Sequence, residues 1–579
     1  MSLPLGSSDD LEDSDNSNTI ASGSAQQADP ARKHGAKEAH GGMVELDVLI
    51  KGGILIDGSG SPGTRADVGV RKGLIVAVGD LSLATANEIL EVPGRIVCPG
   101  FIDVHGHSDL TPFIDPRCAS KVRQGVTTEL VGNCGFSAFP LVKRWNQERT
   151  ELNRSLFMSE GVDADWTDCS GYLAALDRLR PALNIATQVG NGTIRTATIG
   201  YSVRAPTPQE MGEMRRHVAL AMEQGAVGLS TGLTLFPSSL ATTSEVAALC
   251  LEAASRGGIY NTHVRHVGGW HFKSVEEAIS LGRRAGIPVH VAHLCIIDPR
   301  YWGRAEEVLS LIEQSREDGV DVSFDVYPYI AGNCPFEEAM PEWLLDGGNE
   351  AMIARLADVR VRERAIAESE QSWFSGVPVD WKTVIVAKVG QESDANWVGK
   401  DVATLAQGLK IPPAEMVLDI VLRSQGIGSF VIHNRLEQDV EEFMRHPLCM
   451  IGSDGRAIAP DGPWSGTRVH PRFYGTFARV LSRYVRERKT LPLEESIHKM
   501  TSLAAERLGI AKRGRVREDW HADITVFDSE TVQDCATFDE PHQFPVGISD
   551  VMVNGAWVVR GGTQTDARPG RALRRGRVD

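Results

Sequence analysis

Ile96-Val97-Cys98-Pro99-Gly100-Phe101-Ile102-Asp103-Val104-His105-Gly106-His107 is an apolar run that ends on two histidines one residue apart. In an extended strand, residues i and i+2 point to the same side, so His105 and His107 share one face at the strand's end. Two imidazoles placed this way can grip one metal ion. A short histidine pair alone is a weak sign. At the end of a buried apolar strand it points to a metal site.

Downstream, strands alternate with helical segments, the pattern of βα units and a parallel sheet. After the His105 strand, further strands are expected to end near Val131, Val189, Ser230, Asn261, Val291, Val326 and Ile451. With the first, they make the eight that a closed (β/α)8, TIM-type barrel needs. Helical stretches such as 208–223 and 275–285 lie between them. The interval 329–446 is too long for one crossover and predicts an inserted, lid-like subdomain. Residues 43–97 and 506–579 have strand-and-turn character, which predicts one small β-sandwich domain built from both chain ends. The barrel then spans 98–505. Residues 1–42 are rich in Ser, Asp, Gly, Ala and Gln and poor in bulky apolar residues, which predicts a disordered tail.

The 579 residues are ample for a large core. With 60 Lys and Arg against 76 Asp and Glu, the net charge of −16 disfavours nucleic acid and anionic membrane as partners. No apolar run reaches the ~18 residues of a membrane helix, and the N-terminus lacks a basic-then-apolar leader pattern. Nine cysteines without tight spacing do not form a disulfide framework, so the expected location is the reducing cytoplasm. The sequence has no Gly-Xaa-Ser-Xaa-Gly elbow, phosphate loop or dinucleotide fingerprint.

Metal-capable side chains recur where the expected strands stop. The second strand delivers Cys134, the fifth His263, the sixth His293 and the eighth Asp454. Active sites of (β/α)8 enzymes lie at the C-terminal ends of the strands, so with His105 and His107 these side chains converge on one mouth. His290 is an odd number of residues from His293 and is expected to face away from that mouth. His266 and His271 fall in a loop near it. The remaining cysteines other than Cys295 read as packing residues.

Several longer stretches resemble the N-acyl-D-amino-acid deacylase (D-aminoacylase) branch of the amidohydrolase superfamily. They are 131–137 (VGNCGFS), 228–233 (GLSTGL), 325–329 (DVYPY), 452–455 (GSDG), 470–476 (HPRFYGT) and 499–502 (KMTS), and the likeness runs from about Glu45 to Arg571. The resemblance implies one tightly bound Zn2+ on Cys134, His263 and His293, and a second, weaker position on His105 and His107 that shares Cys134. Asp454 would take a proton from water during hydrolysis of a small-molecule N-acyl substrate. Substrate recognition departs from the pattern. Family members usually carry a tyrosine where this chain has Leu235 and a lysine where it has Cys295, and both help hold a free carboxylate. Asn191 stands where the family often shows histidine. Tyr327 remains, with Arg265 and Arg472 as substitute cations. The expected substrate is therefore a neutral or hydrophobic N-acyl amine. A true N-acyl-D-amino-acid deacylase, a cyclic amide or lactone hydrolase, and a metal-binding protein without catalysis remain as alternatives, and a homo-oligomer stays open. Deleting residues 1–42 is expected to leave solubility and thermal stability unchanged; loss of either would show that the tail belongs to the fold.

Overall fold

The computed structural model describes residues 45–143, 162–265, 271–371 and 376–577. The expected disordered tail at 1–42, the loop residue His266 and the side chain of His271 lie outside the described residues.

The middle of the chain is a (β/α)8 barrel. Its strands are Phe101–Asp103, Val126–Val131, Asn184–Thr187 continued by Val189–Gly190, Gly228–Gly232, Ile259–His263, Val289–Val291, Val322–Val326 and Cys449–Ile451. Each runs parallel to the next, with Thr187 beside Val131, Val189 beside Leu229, and Val326 beside Ile451. The eighth strand closes on the first just beyond their ends. Gly106 bridges Gly455, the His107 amide donates to the Gly455 carbonyl at 2.9 Å, and the Asp454 amide donates to the His105 carbonyl at 2.7 Å. The ends of strands one and eight are thus one hydrogen-bonded unit, and His105, His107 and Asp454 are fixed together by backbone alone.

The floor of the barrel is apolar. Ile102, Leu130, Ala186, Ile259 and Met450 cluster with Ala504, Ala505 and Leu508 of the helix Ser502–Leu508. Leu573 joins them from an unexpected direction. Residues 506–579 read as part of the sandwich, yet Ala572–Leu573 pairs in parallel with Ile185–Ala186 of the third barrel strand. A two-residue strand at the chain's end carries too little periodicity to be assigned to a sheet from sequence.

Two sheets built from both chain ends face each other beside the barrel. One orders Leu74–Gly79, Asp67–Arg71, Leu46–Lys51 and Ala86–Glu91; the other includes Ile524–Phe527, Ile548–Val553, Ile96–Pro99 and Ile54–Leu55. Val48, Ile50, Val68 and Val70 of the first pack against Leu55, Val97, Ile524, Val526 and Met552 of the second. These residues alternate along their strands, as a sheet with one buried face requires. Between the seventh and eighth barrel strands, Ala331–Pro335, Ser429–His433 and Val384–Lys388 form an antiparallel sheet flanked by helices such as Val402–Leu409 and Pro413–Arg423. This insertion has its own core around Phe336, Phe430, Leu418 and Val386.

A buried polar network fastens the end of the first strand. Lys121 Nζ reaches Asp103 Oδ2 at 2.6 Å, Ser453 Oγ at 2.7 Å and Glu129 Oε1 at 3.2 Å. Ser108 Oγ donates to the same Glu129 oxygen at 2.7 Å. Gly106 lies against that oxygen: a Cβ there would sit 1.8 Å from Glu129 Oε1. The residue between the two histidines must therefore be glycine. Gly106→Ala is expected to destabilise the protein by about 2 kcal/mol through overpacking of a site that cannot yield. An unchanged midpoint in chemical denaturation would show that the network relaxes freely.

Candidate metal and active site

Three of the candidate residues share one backbone feature. Cys134, His293 and Asp454 adopt left-handed conformations, with φ of 52°, 34° and 47°. Each lies just past a strand end, where the chain must turn to aim a side chain across the mouth. Non-glycine residues held there carry strain that the surrounding structure must sustain, a pattern that clusters at functional sites.

Two overlapping donor groups result. The ligand atoms of His105, His107 and Cys134 lie within 4.8 Å of one another, as do those of Cys134, His263 and His293. Cys134 belongs to both. Its Sγ is 3.5 Å from His293 Nε2 and 3.3 Å from His105 Nε2. Zinc–nitrogen and zinc–sulfur bonds in a tetrahedron place such donors about 3.5 Å apart, so the donor set fits a zinc ion. Burial lowers the His293 and His107 pKa values to about 3 and about 4, keeping both imidazoles in the neutral, ligating form. Burial also raises the Cys134 thiol, so a thiolate there calls for a cation at the sulfur.

A second layer fixes the rings. The Asp325 carboxylate lies 3.4 Å from His105 Nδ1 and 2.9 Å from His290 Nε2, and it accepts the His293 backbone amide at 3.0 Å. Thr234 Oγ1 donates to Glu338 at 2.8 Å and therefore accepts from His263 Nε2, 2.7 Å away. That sets the His263 tautomer and leaves Nδ1 as the ligating nitrogen. Asp454 is held at both oxygens: Oδ1 is 3.1 Å from His107 Nε2 and Oδ2 is 2.9 Å from Arg472 Nη1. Burial alone would raise its pKa. The Arg472 guanidinium and the neighbouring imidazoles outweigh burial and hold the carboxyl well below the usual range.

These groups open onto a cavity of about 140 Å³ between the barrel mouth and the insertion. Leu235, Cys295, Tyr327, Arg472, His107, Cys134, His263, His293 and Asp454 all line it. Arg265 does not, contrary to its expected role as a substrate-binding cation. Its guanidinium is taken up by Glu277 and by the Ser239 and Ala241 carbonyls. His290 also departs from expectation. It pairs with Ser323 and Asp325 inside the barrel, directly below the donor groups, because the turn at His293 breaks the alternation on which its outward assignment rested. The sequence reading missed Asp325, although it stands in the quoted 325–329 stretch at the end of a barrel strand. It also missed Thr234, Glu338 and Arg435. Glu338 and Arg435 come from the insertion, whose sequence gives no sign of which residues face the mouth.

The amidohydrolase family model matches residues 91–361 and 412–559. The chain is 36% identical to an N-acyl-D-glutamate deacylase of Alcaligenes xylosoxydans xylosoxydans over 534 residues, covering 92% of this chain and 97% of that one. This chain belongs to the amidohydrolase family, in its D-aminoacylase branch. A D-aminoacylase of the same organism is also 36% identical, over 530 residues. Among solved structures, the N-acyl-D-glutamate deacylase of Bordetella bronchiseptica, complexed with zinc and a phosphonate inhibitor, superposes with a TM-score of 0.77 at 34% identity, covering 92% of this chain and all of that one. As an amidohydrolase, the protein acts on carbon–nitrogen bonds other than peptide bonds. No helix among the described residues is long and apolar enough to cross a membrane. Cys134→Ala removes the one donor common to both groups and is expected to abolish stoichiometric metal binding. A dialysed variant that keeps a full equivalent of metal by elemental analysis would take Cys134 out of the coordination sphere.

Proposed function

We propose that this amidohydrolase is zinc-dependent and hydrolyses the acyl C–N bond of a small N-acylated amino acid, releasing a carboxylate and an amine. The observation that carries this reading is the meeting of Cys134, His263 and His293 with an ionised Asp454 in one cavity. Cys134, His263 and His293 would hold the tight ion, and His105 and His107, sharing Cys134, a weaker one. Zinc bound there supplies an activated water and polarises the acyl carbonyl.

The chain's own residues do the rest. Asp454 is kept as a carboxylate by Arg472, so it can accept a proton from the attacking water. Its two oxygens are oriented by His107 and Arg472, which leaves little freedom to wander from the reacting atoms. The same carboxyl then returns the proton to the departing nitrogen, as general acid–base work requires. Phe136, Leu235 and Ile297 line the cavity beside the polar groups and accommodate apolar parts of the substrate.

The expectation of a neutral substrate rested on the loss of two polar groups at Leu235 and Cys295. The cavity nevertheless holds Arg435 and Arg472, so it does not lack cations. That favours an N-acyl amino acid over a neutral N-acyl amine. The relatives' names, N-acyl-D-glutamate deacylase and D-aminoacylase, point the same way.

Asp454→Asn keeps the side chain's shape and removes the base. Turnover of N-acetyl-D-amino acids is expected to fall ~10²-fold or more while bound zinc is retained. Near-normal turnover with zinc content verified would remove Asp454 from the proton path.

A further inference from the structure

Arg435 stands apart from the other cations of the cavity. It follows the strand Ser429–His433 of the insertion, and its backbone amide donates to the Ile330 carbonyl at 3.2 Å. Its guanidinium lies over the Tyr327 ring, 4.7 Å from the centroid, and beside Cys295. Arg472 covers the same ring, also at 4.7 Å. The tyrosine therefore has two guanidinium groups over its ring, but their charges are balanced differently. Arg472 is paired with Asp454 at 2.9 Å. Arg435 has no carboxylate within ion-pair distance among the described residues; atoms of both guanidinium groups are buried, so the ion pair to Asp454 is what distinguishes them. Arg435 is partly buried and opens onto the cavity, so its guanidinium can pair with an anion that enters there.

Tyr327 also gives the reach. Its ring is 6.3 Å from the ring of His293, one of the donors of the tighter group. Arg435 therefore stands one aromatic ring away from the metal ligands, on the side of the cavity lined by Cys295 and Gly332. In an N-acyl amino acid the carboxylate is one tetrahedral carbon beyond the amide nitrogen, so a substrate reacting at the donor groups can place its carboxylate toward that side. Cys295 is where resembling chains carry the lysine that helps hold this carboxylate. A lysine there would set a second cation against Arg435.

We propose that Arg435 is the specificity-determining residue of this enzyme: it binds the free α-carboxylate of the substrate, supplying from the insertion the charge that Cys295 no longer supplies from the barrel. The proposal rests on the reading of the site as an N-acyl amino acid hydrolase.

The test uses the zinc-loaded full chain with N-acetyl-D-leucine and N-acetyl-D-glutamate, each compared with its own α-amide. The wild type is expected to favour the free acids by ~10-fold or more in kcat/KM. Arg435→Met should lower kcat/KM on the acids by ~100-fold, mainly through KM, and shift the α-amides by less than ~3-fold. Arg435→Lys should fall between the two. Adding Cys295→Lys to Arg435→Met should recover ~10-fold on the acids by returning a cation to the barrel. Equal losses on acid and amide, or a wild type that prefers the amides, would overturn the assignment. Should no compound be turned over, the N-acyl hydrolase reading fails separately, and calorimetric titration with N-acetyl-D-leucine and its α-amide decides the role of Arg435. Tighter binding of the acid that disappears in Arg435→Met supports it; equal or absent binding overturns it.

Discussion

The buried Asp325 carboxylate is the constraint on which the site depends. Burial alone would neutralise it. The His105 and His290 imidazoles hold it ionised instead, and the His293 amide completes its shell. One carboxylate at the end of the seventh strand thus sets ring orientation on the first strand and backbone position after the sixth. Gly452 admits this arrangement, because a Cβ there would sit 2.7 Å from Asp325 Oδ1 and 2.5 Å from the His105 Cβ. The contacts with His105 and Gly452 join strands that are far apart in the chain. The carboxylate's polar partners come from the first and sixth strands and the room for it from the eighth, which ties the geometry of the donor groups to closure of the barrel.

The insertion is coupled to the same centre. Glu338 holds Thr234, and Thr234 holds His263 in one tautomer. Arg435 lies over the Tyr327 ring. The subdomain therefore does more than roof the cavity: one of its carboxylates fixes a donor ring and one of its guanidinium groups sets the charge that a substrate meets. Its separate core around Phe336 and Phe430 gives the turn that carries Glu338 a rigid support, while Arg435 stands in the short connection after the strand Ser429–His433.

The barrel was legible because its evidence is periodic. Eight apolar segments alternate with helical ones, five of them end on chemistry-bearing residues, and strand alternation places His105 and His107 on one face. The convergence of Cys134, His263, His293 and Asp454 follows from the rule that the mouth lies at the C-terminal ends. Parity failed at His290, because the chain turns left-handed at His293 and alternation ends with the strand. Arg265 is expected as a substitute cation for the lost tyrosine and lysine, yet carbonyls at Ser239 and Ala241 and the Glu277 carboxylate occupy it. Ala572–Leu573 joins the barrel through a pairing too short to carry a pattern. Arg435 lies 142 residues from His293 in the sequence, and only the tertiary approach of the insertion brings it to Tyr327.

Leu235 and Cys295 illustrate why residues lost from a motif do not by themselves define the charge of a site. An ammonium at position 295 and a guanidinium at 435 would compete for the same space and repel each other, since Arg435 already lies beside Cys295. A thiol leaves room for the guanidinium and does not oppose its charge. Tyr327 carries both Arg435 and Arg472 over its ring, and each cation–π contact contributes roughly 0.5–2 kcal/mol toward holding the two like charges in place. Asp454 neutralises only one of them. The uncompensated charge therefore stays at Arg435. Binding an anion there leaves Asp454 ionised and its pairing with Arg472 intact. Recognition and proton transfer are in this way assigned to different arginines.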